Sequence, residues 1–192
     1  SDCAVGNSRV RDESNFVGLT KKGWAARLPT YGDETHVALA GLDPRLVNYD
    51  LVVALCERIH DGTVAPPTSL TRSATIKTGA ILVFLPGIME IAALVEKLRA
   101  SEALRRGATV LPLHSALSAE DQRAVFARLG RGQRKIVVAT NIAETSITID
   151  DVVFVVDAAR VKENRYDADR GMATLEEVWV SRASARQRRG RA

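Results

Sequence analysis

Two stretches of this chain carry residue types suited to phosphate chemistry. "ATNIAETSITID" (139–150) sets Thr140, Asn141, Thr145, Ser146 and Thr148 between two apolar runs. Hydroxyls, small side chains and turn-forming backbone bring N–H and O–H donors close to phosphate oxygens. The same residue types also serve turns and helix caps, and spacing alone leaves both readings open. "SARQRRGRA" (184–192) holds four arginines in nine residues, and from Ser181 to Ala192 there are five arginines and no acid. A guanidinium is permanently charged and forks onto two oxygens. Against that stands the plainer reading of a solvated basic segment.

The elements that must position these stretches follow from hydropathy. "AILVFLP" (80–86) is a near-continuous apolar run, as a strand buried on both faces requires. "IMEIAALVEKLRAS" (88–101) has helical spacing, "ATVLPLH" (108–114) is a second strand, and "SAEDQRAVFARL" (118–129) is a helix. That helix opens on Ser118 with Asp121 three residues on, a capping box with Asp in place of Glu or Gln. "KIVVATN" (135–141) and "DVVFVVDA" (151–158) are the third and fourth strands. Strands alternating with helices predict an α/β fold with a parallel sheet and right-handed crossovers. Ligands in such sheets sit at the carboxyl ends of strands. Those ends here read "LPG" (85–87), "LHSALS" (113–118), "ATNIAETSITID" and "VVDAARVKE" (155–163). One segment breaks the alternation: "RVKENRYDA" and "ATLEEVWVS" flank a glycine-containing turn, which predicts a β-hairpin over about 159–180. Ser181 or Ser184 then caps a possible helix.

Upstream the pattern is weaker. Residues 1–45 are polar and broken by Gly18, Gly23, Pro29, Gly32 and Gly41, which reads as an extended lead-in or linker. "LVNYDLVVALCERIH" (46–60) is an amphipathic helix with Leu51, Val52, Leu55 and Ile59 on one face, and residues 61–79 form a loop. The remaining domain therefore runs over 46–192. The whole chain's length of 192 residues and 46% hydrophobic content allow one real core, and its net charge of +4 is a mild bias toward polyanions. Cys3 and Cys56 suggest no disulfide framework, and His36, His60 and His114 lack metal-ligand spacing. No signal peptide and no membrane-length apolar run are visible, which predicts a soluble, intracellular protein, with the cytoplasm favoured over the nucleus.

The two opening stretches also carry a resemblance. "ATNIAETSITIDDVVFVVD", followed some way on by "QRRGRA", is similar to the second RecA-like lobe of DEAH-box RNA helicases, which belong to superfamily 2. "ILVFLPGIMEI" (81–91) and "LPLHSALSAEDQRAVF" (111–126) resemble the intervening blocks of that lobe, so the likeness covers residues 46 to 192. The long block from Ser146 to Ser181 most resembles the branch containing multidomain cytosolic helicases. The resemblance implies a RecA-like parallel sheet flanked by helices, of P-loop NTPase type. It implies contacts from Thr140 and Asn141 to the RNA backbone, with Pro86, Gly87, His114, Ser115 and Ala116 lining the same strand. It implies that Thr148 and Asp150 face the nucleotide ribose and that Phe126 stacks on adenine. Read without the resemblance, Phe126 is a core residue of its helix.

In the arginine segment the resemblance makes Arg191 an arginine finger for phosphoryl transfer, has Gln187 meet the γ-phosphate side, and leaves Arg188 to support the loop or pair with carboxylates. The family motif continues with a further glycine and arginine, so the segment reads as cut inside that motif. No Gly-x-x-x-x-Gly-Lys-Ser/Thr loop occurs, and "DETH" (33–36) follows no strand, so its likeness to an acidic metal-binding box is a coincidence. The expectation is a motor lobe of an ATP-dependent RNA helicase, inactive in isolation. It would use ATP with Mg²⁺ held mainly by a first RecA-like lobe, and its partners would be RNA, that lobe, C-terminal domains and possibly an activator protein, with no membrane. The hairpin would act as a wedge or guide at a duplex junction. The alternative is a non-catalytic nucleic-acid-binding module or pseudo-helicase.

Overall fold

The computed structural model describes residues 19–43, 45–64, 79–130, 132–145, 148–167 and 171–192. The chain divides into two compact units, 1–48 and 49–192. In the first, the expected extended lead-in is instead helical between Lys21 and Gly41: α1 (Lys21–Arg27) and α2 (Asp33–Gly41). Thr20 caps α1 by accepting from the Gly23 N–H. Lys21 pairs with Asp33 at 2.7 Å, and the Leu28 carbonyl accepts from the buried His36 ring at 2.9 Å. The "DETH" residues thus open a helix. The sequence hid both helices because their apolar residues form no stripe.

The second unit begins with α3 (Tyr49–His60), three residues later than its apolar pattern suggested. Cys56 on this helix is buried, and burial, then the nearby Glu57, pushes its thiol up to about 12. The loop expected at 61–79 lies mostly outside the described residues. The order then runs β1 (Ala80–Phe84), α4 (Ile88–Ala100), α5 (Glu102–Arg105), β2 (Ala108–Leu113), α6 (Ala119–Ala124), β3 (Arg134–Ala139), α7 (Ile142–Thr145), β4 (Val152–Asp157), β5 (Arg160–Asp167), β6 (Met172–Trp179) and α8 (Arg182–Arg189). Four strands form a parallel sheet in the order β2-β3-β1-β4, and β5 and β6 form the separate antiparallel hairpin. The parallel α/β expectation and the hairpin both hold. Gly171, at φ 64, supplies the left-handed residue entering β6.

Every residue of β1 and β3 is buried, including Arg134 and Lys135 at the head of β3. Phe84, Leu113, Val125, Val137, Ala139, Ala143, Ile149 and Val152 share one core cluster. α6 is half its expected length. Ser118 caps it through the Asp121 N–H, as the sequence indicated. After Ala124, however, the chain tightens into i→i+3 bonds, Phe126 N–H to Arg123 O and Ala127 N–H to Ala124 O. The Val125 carbonyl, just past the helix, accepts from Lys135 Nζ at 2.7 Å. No helix among the described residues is long and apolar enough to cross a membrane.

Candidate nucleotide and nucleic-acid site

The carboxyl ends of β2, β3 and β1 lie side by side, so the loops after them do too. The Thr140 N–H donates to Leu113 O, and the Leu85 N–H donates to Ala139 O. This gathers three of the expected RNA-contact loops along one edge: Pro86–Gly87, His114–Ala116 and Thr140–Asn141. Ser115, Ala116 and Asn141 are exposed, and Thr140 is partly so. Thr140 and Asn141 open α7 through their carbonyls, which accept from the Ala143 and Glu144 N–H groups. Ser146 lies outside the described residues. Gly87 is buried, and a Cβ there would sit 2.6 Å from Glu90 Oε2 and 2.9 Å from Lys162 Nζ. A packing reason for glycine therefore exists at this position: it makes room for the 2.8 Å ion pair that ties hairpin strand β5 to α4.

The arginine segment is a helix. Ser181, not Ser184, is its N-cap, accepting from the Ser184 N–H. Arg188 is 1% exposed and wholly committed. Its Nε donates to Glu144 Oε2 at 3.1 Å, one terminal nitrogen donates to Asp157 Oδ1 at 2.8 Å, and the guanidinium lies 4.8 Å from the Phe84 ring centroid. One side chain thereby joins α8 to α7, to the end of β4 and to the end of β1. Asp157 also accepts the N–H of Ala159 at 2.8 Å. Ala159 has φ 57, the one left-handed non-glycine among the described residues, and its carbonyl accepts from the Val180 N–H. The same carboxylate thus holds the arginine helix and the strained entry to the hairpin.

Arg191 follows α8 and turns back over α7. Its guanidinium donates to Thr148 Oγ1 at 3.3 Å and to the Glu144 carbonyl. The structure therefore brings together Arg191 and Thr148, which the sequence separates by 43 positions. Gln187 is exposed on α8 and makes no contact that would assign it a role. Gly190 has φ −71, so its backbone needs no left-handed freedom there. Phe126 is 49% exposed, and its neighbour Val125 fills the core instead, so the core reading of Phe126 fails. Asp150 is exposed in the turn before β4.

Sequence reasoning missed Lys135 and Glu144. Lys135, 2% exposed, bonds Val125 O and both oxygens of Asp151 at 3.1 Å. Its sole signal was a charge heading an otherwise apolar strand. Glu144 sat in plain view within the polar stretch, but its partner, 44 residues away, did not.

Fold and site together define a helicase motor lobe. Residues 68–192 match the helicase conserved C-terminal domain, and the chain belongs to that family as the second, RecA-like lobe of the DEAH-box type. It is 49% identical over 187 residues to the putative ATP-dependent RNA helicase DHX57 of Homo sapiens, covering 95% of this chain and 13% of that one. It is 47% identical over 188 residues to the DExH-box ATP-dependent RNA helicase DExH4, chloroplastic, of Arabidopsis thaliana, covering 97% and 13%. Among solved structures, the E. coli DExH-box NTPase HrpB superposes with a TM-score of 0.61 at 35% identity, covering 76% of this chain and 16% of that one. The chain thus spans about an eighth of the length of these relatives.

Proposed function

We propose that this chain is the second motor lobe of an ATP-dependent RNA helicase and that the motifs act as their resemblance implies. The observation that carries this reading is the convergence of α8 on the 140–150 stretch, through Arg188 on Glu144 and Arg191 on Thr148. Phosphoryl transfer asks the protein mainly for positioning and charge stabilisation. Arg191 meets the charge that develops on the transferred phosphoryl group, with Gln187 beside it. Thr148 and Asp150 accept from ribose hydroxyls, and Phe126 offers an aromatic face to the base. ATP supplies the reacting phosphate, with Mg²⁺ held mainly by a first lobe. Among the described residues no cluster of His, Cys, Asp and Glu stands ready for a metal.

Thr140, Asn141, Ser115 and Gly87 meet the sugar–phosphate backbone of RNA, so the grip carries little sequence preference. Closing and opening the cleft between two lobes then advances the strand. The hairpin acts as a wedge or guide at the duplex junction. Support for this comes from Tyr166 and Leu175, which stand 72% and 63% exposed on it. The full-length protein should hydrolyse ATP in a Mg²⁺-dependent, RNA-stimulated manner. RNA binding without hydrolysis under any condition would replace this reading with a non-catalytic nucleic-acid-binding module.

A further inference from the structure

We infer that Lys135 is a positioning residue that aligns the base-stacking and ribose-binding groups of the nucleotide site. This rests on the placement of nucleotide at Phe126 and Asp150 given above. Lys135 is buried at the amino end of β3, far along the strand from the arginine helix. Its ammonium has two partners, the Val125 carbonyl at 2.7 Å and the Asp151 carboxylate at 3.1 Å. Each partner is the immediate neighbour of a candidate nucleotide contact: Val125 precedes Phe126, and Asp151 follows Asp150.

The two contacts come from different connections of the fold, one after α6 and one before β4. The Asp151 carbonyl is held by the Ala80 N–H of β1, and Val125 is held by the core. The ammonium links the two directly, through the Val125 carbonyl and the Asp151 carboxylate. Its hold on Val125 O anchors the backbone just past the end of α6. α6 stops at Ala124, and just past it Phe126 is exposed while Val125 stays fully buried. Packing reinforces the arrangement, since Val125, Ile149 and Val152 share one core cluster around the same point. A buried ammonium is strongly hydrated in water and is retained inside a protein only when its partners satisfy it. Here those partners are the backbone and side chain next to the two ligand-facing residues. An apolar residue at the head of β3 would fill the same space without tying them together.

The test uses the full-length protein, with Mg²⁺–ADP binding, the KM and kcat for ATP, and RNA affinity as readouts. Lys135→Met should weaken ADP binding and raise the KM by about tenfold while kcat and RNA affinity stay within about twofold, because a misplaced pocket loses binding before chemistry. Asp151→Asn, which keeps an oxygen for Lys135 and disturbs the core less, should give a smaller shift of about threefold in the same direction. Unchanged ADP affinity in Asp151→Asn, or equal losses of ADP and RNA affinity in Lys135→Met, would overturn the inference. Phe126→Ala separates it from the reading beneath it, since loss of a stacked base should cost about tenfold in ADP affinity. If Phe126→Ala binds ADP normally, the nucleotide placement itself is wrong. If Phe126→Ala weakens ADP binding and Lys135→Met does not, only the role of Lys135 is wrong.

Discussion

Two of the three buried cations among the described residues, Arg188 and Lys135, stand at opposite ends of this sheet, and they are held differently. Arg188, at the carboxyl end, is satisfied by two carboxylates and an aromatic face. Lys135, at the amino end, has one carboxylate and one backbone carbonyl. The difference follows from what each must hold. Arg188 joins four separate pieces of chain, and a planar fork with several donors suits a junction of that kind. Lys135 links one carbonyl and one carboxylate, for which a compact ammonium suffices. The first cation organises the segment read as facing phosphate and RNA. The second stands beside the residues read as facing base and ribose.

That contrast predicts unequal costs. Arg188→Ala leaves the buried Glu144 and the half-buried Asp157 without their shared cation, and should destabilise the fold by about 3–5 kcal/mol. Lys135→Met leaves a carboxylate that is already 30% exposed and one carbonyl without its donor, and should cost about 1–3 kcal/mol. Urea unfolding of both variants measures the difference, and equal costs would erase the distinction between a four-way junction and a two-point tie.

A smaller effect lies on the Arg188 side. Ala159 keeps its left-handed backbone because Asp157, itself held by Arg188, accepts its N–H. Ala159→Gly should therefore stabilise the protein by about 1 kcal/mol, read as a higher unfolding midpoint. A lower midpoint would mean the methyl group packs usefully there.

The smallest effect belongs to the Lys135 end and is one of pH. Burial, and then the nearby Arg134, hold the His60 imidazole below its ordinary value of 6.5, against a smaller opposing pull from Asp61. The unfolded chain takes up that proton first. The contribution of neutral His60 is therefore present above pH 6.5 and lost as pH falls below it toward the depressed folded value. Unfolding midpoints at pH 7 and pH 5 should converge in His60→Gln relative to the parent protein. An identical acid slope in both would remove His60 as its source.

Much of this fold was legible in the sequence because it is written in local terms. Apolar stretches marked the four parallel strands, Ser118 announced one helix start, Ser181 or Ser184 another, which the structure places at Ser181, and two strand-like stretches around Gly171 announced the hairpin. α1 and α2 escaped because polar, stripe-free helices leave no periodic signal. The length of α6 escaped for a different reason. Its end is marked by i→i+3 bonds at Phe126 and Ala127, and Lys135, ten residues on from Val125, holds the carbonyl just past it. The site divides the same way. Hydroxyls and arginines could be read as candidates, but which arginine is buried could not. Arg188 looks like its neighbours until Asp157 and Glu144, 31 and 44 residues upstream, are seen against it.

Arg191, half-buried at the tip of the arginine segment, is proposed to meet the transferred phosphoryl group, while the buried Arg188 holds the frame. The most direct measurement is RNA-stimulated ATP hydrolysis by the full-length protein with Arg191→Ala, beside Arg189→Ala as a neighbour of equal charge. Arg191→Ala should lower kcat by about a thousandfold or more, with RNA affinity and unfolding midpoint nearly unchanged, while Arg189→Ala stays within about twofold. Equal, small losses in both variants, or a fall in RNA affinity and stability that accounts for the lost activity of Arg191→Ala, would contradict it.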